Sequence, residues 1–424
     1  MEWNSRRVLG VILCVVLLSS FFGYYFAVTF AGYQGDVGTF YIEKGTQVEA
    51  SYVVSVWNSS HYSVLNGTNG RRTYGTNASE IINDVLAVAN SVLIKSGVYL
   101  CDSPLIPKNY IWIKCESSTT IIRATSSMDA LFDASDKTNV QVFGGYWDGN
   151  NLAEKTMDFS LSTGLVSFNR VERAKILNGT VCLLDITLNS AFQFEENLLD
   201  GCDNTPYGIV QNNSDGANFL QLGDYNDFCT EAVILLGGGG LTITNGGLEA
   251  ESGCNIKVTS AYGNPRLSIF GTWMESTAGD NILIEEGLGS LLLLHIEPLH
   301  MYVNGSGGYA NIRSTTTTNH TKTLVVEGGY WETSNATGYH IDARIDYEAS
   351  IQTAYFSRGW AGVNTAKFDV LNGFSDGKGI LRCTHPYNST WTSNMNGFMW
   401  YCTDHDRIEY YIYPRIYYLT GTGT

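Results

Sequence analysis

Carboxylates recur at one place in a repeated pattern, and their spacing could support acid–base or sugar-binding chemistry. Five segments align as an apolar residue, a bend of Gly or Asn, a bulky apolar residue and an acid: Val142 to Asp148, Phe194 to Asp200, Ile243 to Glu249, Ile269 to Glu275 and Val326 to Glu332. Leu222 to Asp227 and Leu294 to His300 fit the same frame less closely. The register collects Asp148, Asp200, Asp227, Glu249, Glu275 and Glu332 in one column, with His300 in that column too. Strand alternation turns the preceding Trp147, Leu199, Leu248, Met274 and Trp331 inward and the acids outward.

Carboxylates one coil apart would lie about 5 Å apart, and two coils apart about 10 Å. Those distances bracket the separations used by retaining and inverting glycosidases. Packed acids also raise one another's pKa, which favours a protonated general acid. Asp200, Asp227, Glu249 and Glu275 are therefore the expected catalytic residues, and Asp148, Trp273, Tyr330 and Glu332 the expected substrate contacts. The plainer reading of the same acids is solvation and turn chemistry at strand ends, where polar residues also deter edge pairing. No CxxC or HxxxH spacing suggests zinc, and His295, His300, His320 and His340 lack partners at metal-ligand spacing. No metal or other cofactor is expected, with calcium on the acidic face as the one alternative.

The elements that must carry this column follow from its period. Segment starts fall 22 to 30 residues apart once a weaker rung near Ile176-Leu177-Asn178 is counted. That is one turn of a parallel β-helix, in which short strands separated by bends stack about 4.8 Å apart. A single amphipathic helix is expected over 78–90, where Ile81, Ile82, Val85, Leu86 and Ala89 recur at helical spacing behind Asn77 as N-cap. It should cap the first coil. Past residue 361 the coil pattern fades, and the aromatic tail from Tyr410 to Leu419 is expected to cover the far end or to form a small β module.

Compartment and partners follow from composition. Val8 to Phe30 is uncharged and mostly apolar for 23 residues, long enough to cross a bilayer. Arg6 and Arg7 precede it and acids follow, so the N-terminus is expected in the cytoplasm and the body outside. A cleaved signal peptide is the alternative. Eight Cys beyond the span form an even set in an oxidising compartment, so disulfides are expected, with Cys101–Cys115 and Cys383–Cys402 the simplest pairs. Nine Asn-x-Ser/Thr sequons, Asn58 and Asn304 among them, agree with a surface glycoprotein. A net charge of −16 would repel a phosphate backbone, which excludes nucleic acid as partner. Oligomerisation through the apolar run Leu291 to Leu294 is a further expectation.

The stretch Thr73-Tyr74-Gly75-Thr76-Asn77 with its helix, Val92 to Tyr99, Pro104-Leu105-Ile106 and Ser118 to Ile122 resembles the opening of the pectate-lyase superfamily, whose members include polygalacturonase-like enzymes and phage tailspikes. Gly144-Gly145-Tyr146-Trp147-Asp148-Gly149-Asn150 is similar to that family's G-x-x-D-G-N rung. The resemblance covers about residues 70 to 360 and implies a right-handed coil that handles polysaccharide. It does not carry over a pectin-cleaving mechanism: Asn213-Ser214-Asp215-Gly216 and the split Asp224 and Asp227 replace the hydrolase motifs, and Arg170 and Arg173 only echo a lyase base. The expected fold is thus all-β: a right-handed parallel β-helix over 73–360 with an N-terminal capping helix. One transmembrane helix in 1–30 and membrane-proximal strands in 31–72 precede it, and a capping region at 361–424 follows. The expected function is a cell-surface, polysaccharide-engaging protein. It would be a glycoside hydrolase or polysaccharide lyase, or else a non-catalytic adhesin or envelope glycoprotein that binds glycans or calcium.

Overall fold

The computed structural model describes residues 39–41, 47–163, 167–200, 205–212, 217–222, 229–250, 252–285, 291–304, 309–314, 321–333, 340–342, 345–352, 355–357, 381–383, 399–402, 407–412 and 415–418. The expected transmembrane segment therefore lies outside the described residues. Among those described, no helix is long and apolar enough to cross a membrane.

The one described helix, α1 (Ala78–Leu86), starts where Asn77 accepts a hydrogen bond from the Glu80 amide at 3.2 Å. Its buried face is Ala78, Ser79, Ile81, Ile82, Val85 and Leu86, packed into the main core. It stops four residues before the expected end at Asn90. The Ala87 amide closes the last turn on Asn83, and the chain turns so that Ala89 stays buried.

Beyond α1 the chain winds as a β-solenoid of the right-handed type. One inward column runs Val92, Ile113, Val142, Val171, Phe194, Leu220, Ile243, Ile269, Ile296 and Val326, each in parallel register with the next. All ten are buried. Stacking like on like at a rise of about 4.8 Å gives each aliphatic side chain a neighbour above and below, and this removes the whole column from water. A second inward column comes in two stretches. Tyr99, Ile122, Trp147, Ile176 and Leu199 form the first. Leu248, Met274, Met301 and Trp331 form the second. A third wall stacks Phe132, Met157, Leu184, Ile209, Ile234, Ile256, Ile282, Ile312 and Ile341.

The bend between the first two walls takes left-handed backbone in coil after coil: Gly144 and Gly145, Arg173, Glu196, Asn245 and Gly246, Gly271, Gly328 and Gly329. At Gly145 only hydrogen fits, because a Cβ would come within 2.6 Å of Cys115 Sγ.

At the N-terminal end Tyr52–Asn58, His61–Asn66 and Arg72–Gly75 form an antiparallel meander. Tyr52 to Val54 then pair in parallel with Val92 to Ile94. The strand Arg72–Gly75 crosses the expected boundary at 72/73, so the meander is the first edge of the solenoid sheet. At the far end Leu381–Cys383, Met399–Cys402, Arg407–Ile412 and Arg415–Tyr418 extend the sheet that carries Tyr330–Thr333.

The expected Cys101–Cys115 disulfide is corrected. Cys101, Cys115, Cys182 and Cys254 are buried thiols. Cys101 pairs in register with Ala124 and Cys115 with Ile94, so they occupy different walls. Cys182 and Cys254 share a column but are separated by Tyr207 and Ala232, three rungs or about 14 Å, beyond disulfide reach. The backbones of Cys383 and Cys402 are register partners. Of the apolar run Leu291 to Leu294, Leu294 is fully buried in the solenoid core.

Candidate functional site

The frame read from the sequence places Val142, Phe194, Ile243, Ile269 and Val326 in one column, as found. It misplaces one rung. Ile296 is the register partner of Ile269 and Val326, so the rung reads Ile296 to Tyr302 with its bend at Glu297-Pro298-Leu299. Tyr302 therefore stands between Glu275 and Glu332 where His300 was expected. His300 lies two residues earlier on the same outward face, between Trp273 and Tyr330.

Two parallel outward columns result. One is Gly247, Trp273, His300 and Tyr330; the other is Glu249, Glu275, Tyr302 and Glu332. The Trp273 and His300 rings lie 6.2 Å apart at 20°, and the His300 and Tyr330 rings 5.2 Å apart at 41°. Tyr330 is 39% exposed and Leu299, in the bend beside it, 68%. Glu249 and Glu275 are direct register neighbours, about 4.8 Å apart along the axis, whereas Glu275 and Glu332 are separated by the Tyr302 rung, about 10 Å. His300 Nε2 is 3.6 Å from Glu332 Oε2, and that buried nitrogen has no hydrogen bond. The adjacent wall repeats the device, with His295 Nε2 3.6 Å from Glu327 Oε2 and the ring edge-on to Phe270.

What holds this face is a buried ladder that the sequence reading did not single out. Asn255, Asn281, Asn311 and His340 stack one rung apart at the next corner, all fully buried. Asn255 Nδ2 donates to the Glu275 carbonyl, Asn281 Nδ2 to that of Tyr302 and Asn311 Nδ2 to that of Glu332. Side chains also link along the ladder: Asn255 to Asn281, Asn281 to Asn311, and Asn311 to His340 Nδ1. Glu275, Tyr302 and Glu332 are thus each fixed from behind through their own backbone. Asp280, 2% exposed, anchors the same corner by accepting from Arg313 Nε at 2.9 Å, Arg313 Nη2 at 2.6 Å and the Ala310 amide at 2.7 Å. The visible signal was a repeated dipeptide, Asn255-Ile256, Asn281-Ile282 and Asn311-Ile312, closed by His340-Ile341.

The other expected site residues fall elsewhere. Asp148 is corrected as a substrate contact: it is 3% exposed and accepts from Arg123 Nε at 2.7 Å, the Asn150 amide at 2.8 Å and Asn178 Nδ2 at 2.8 Å. It holds a corner together and does not face solvent. The Asp200 backbone pairs with Leu177, one rung beyond the Asp148 position. Asp227 lies outside the described residues. The acidic column is therefore broken at Leu177 and Tyr302. Arg170 is held by Glu172 at 2.9 Å and Glu195 at 2.5 Å, and Arg173 by Glu196 at 2.6 Å. As paired cations they are poor candidates for a lyase base.

A second acidic stack, outside the expected column, lies on the third wall. Asp133, Asp158 and Asp185 occupy successive rungs. Each caps its own turn by accepting from the amide two residues on: Ser135, Ser160 and Thr187. Lys155 Nζ bridges Asp158 and Asp185, 2.7 Å from each. Burial pulls the Lys155 ammonium down, but the Asp185 and Asp158 carboxylates outweigh it and hold its pKa above the usual lysine value. Among the described residues no group of three or more His, Cys, Asp or Glu side chains converges as a metal site.

No family model, curated protein or solved structure matches the chain. What stands is the class of protein that coil and face define: a parallel β-solenoid with an aromatic and carboxylate strip along one outward wall.

Proposed function

We propose that the chain is a cell-surface β-helix of the pectate-lyase-like kind that binds polysaccharide along the strands Gly247–Ala250, Trp273–Ser276, His300–Val303 and Tyr330–Thr333. The observation that carries the reading is the row Trp273, His300 and Tyr330 beside Glu275, Tyr302 and Glu332. Rings supply apolar contact for sugar C–H faces, and the carboxylates and phenol accept or donate to hydroxyls. A flat strip repeating about every 4.8 Å suits an extended polymer better than a small molecule. The segment 8–30 anchors the body, which is displayed outside the cell and carries N-linked glycans.

Binding without turnover is the leading form of this proposal, because the acidic column is interrupted at Leu177 and Tyr302 and both Arg170 and Arg173 are ion-paired. A hydrolase is the second reading. Glu275 and Glu332 sit about 10 Å apart across Tyr302, near the upper end of inverting separations.

The test is affinity electrophoresis of the full-length protein in neutral detergent against neutral, acidic and amino polysaccharides, with reducing ends and unsaturated-uronate absorbance read in parallel. Retardation by at least one glycan is expected, weakened roughly tenfold in Tyr330→Ala, with no product. Reducing ends that vanish in both Glu275→Gln and Glu332→Gln would establish the hydrolase. Absence of retardation by every glycan would overturn both.

A further inference from the structure

The charge of the strip defines what kind of sugar it takes. Its four strands read GLEA, WMES, HMYV and YWET, with three glutamates and neither lysine nor arginine. The bends and strand ends around them, 245–246, 271–272, 277, 298–299, 304 and 328–329, add none. The first stretch of the same wall differs. There Arg123 neutralises Asp148 at 2.7 Å, and Lys175 Nζ lies 5.3 Å over the Tyr146 ring. The first stretch thus carries cations, whereas the four strands of the aromatic row carry only carboxylates and one imidazole; the next arginine in that column is Arg382, whose backbone stands two rungs beyond Tyr330.

A uronate polymer brought to Glu275 and Glu332 would meet like charge on four strands that hold neither lysine nor arginine, within a protein of net charge −16. A polymer bearing protonated amines meets the opposite: carboxylates at intervals of about 5 and 10 Å along the axis, and aromatic rings that attract cations. Resting on the polysaccharide-binding reading, we infer that the ligand of the Trp273–Tyr330 strip is a cationic amino-sugar polymer, recognised by Glu275 and Glu332 through its ammonium groups.

Three oligomers of equal length separate the outcomes when titrated against the full-length protein in neutral detergent at about 0.15 M salt, where long-range attraction is screened: a glucosamine hexamer, its fully N-acetylated form and a galacturonate hexamer. The expected result is at least tenfold tighter binding of the free amine than of the acetylated form, and no binding of the uronate. Glu275→Gln with Glu332→Gln is expected to abolish the discrimination. Glu154→Gln, an exposed acid on another wall, is expected to leave it intact; an equal loss there would mean bulk attraction and overturn the assignment. Preference for the acetylated or uronate form would overturn the amino-sugar class while leaving polysaccharide binding standing. Failure of all three to bind would overturn both.

Discussion

Tyr330 and the buried cysteines make opposite claims at the scale of single residues, one exposed for contact and the others sealed from it. Burial pushes the Cys101, Cys115 and Cys254 thiols up to about 12, aided at Cys254 by the Asp280 carboxylate. A raised folded pKa gives stability that is intact below the unfolded value near 8.5 and is lost as pH rises toward about 12. Thermal midpoints are therefore expected to fall across that window, with a shallower fall when one of these cysteines is replaced by Ala. A slope that the replacement leaves unchanged would contradict the assignment. The same burial predicts that native alkylation at about pH 8 leaves Cys101, Cys115, Cys182 and Cys254 unmodified, while denaturant without reductant exposes all four. Resistance after denaturation, which disulfides would give, would contradict the thiols found here.

The corner ladders set the geometry at the scale of elements. Asn281→Ala removes the donor to the Tyr302 carbonyl and cuts the chain of amides between Asn255 and Asn311. A loss of about 2 to 3 kcal/mol is expected in chemical denaturation, because the Tyr302 carbonyl and the buried amides of Asn255 and Asn311 each lose a partner. On the third wall Lys155→Met strands Asp158 and Asp185 side by side, 9% and 8% exposed. It is expected to cost about 3 kcal/mol, with Asp158→Asn in the same background recovering part. A Lys155→Met protein as stable as the parent would show that solvent already screens the pair.

These ladders also show what the sequence made legible. The apolar inward columns were readable because burial forces one residue type at one position in every coil. The acidic column was readable only in part. A carboxylate after a strand serves equally as a surface group, as with Glu275, or as a buried corner cap, as with Asp148, and the partners that decide between them, Arg123 and Asn178, lie 25 and 30 residues away. His300 was misplaced because Glu297-Pro298-Leu299 bends the chain without the Gly or Asn that marks the bends of the five aligned segments. The ladder of Asn255, Asn281 and Asn311 was visible as a repeat, but its meaning needs the coil that brings the strand 20 or 21 residues further on over each amide.

At the scale of the whole molecule the solenoid is a stack whose coils touch only their neighbours, so its ends need covers. Helix α1 supplies one, with Ile82 and Leu86 fully buried in the core that also holds Val54 and Ile94. Ile82→Ala is expected to cost about 2 to 5 kcal/mol and to raise amide exchange first in the coils around 91–115. Loss of protection beginning instead around Trp273 to Tyr330 would contradict α1 as the cap.

The proposed function turns on one strip of one wall contacting polysaccharide. Hydrogen exchange read by mass spectrometry on the full-length protein, with and without a glycan that retards it, tests this most directly. Added protection confined to peptides covering 271–277, 298–304 and 328–333 is predicted, absent in Tyr330→Ala. Protection on the wall of Asp158 and Asp185, or unchanged exchange along the strip while the glycan is bound, would contradict it.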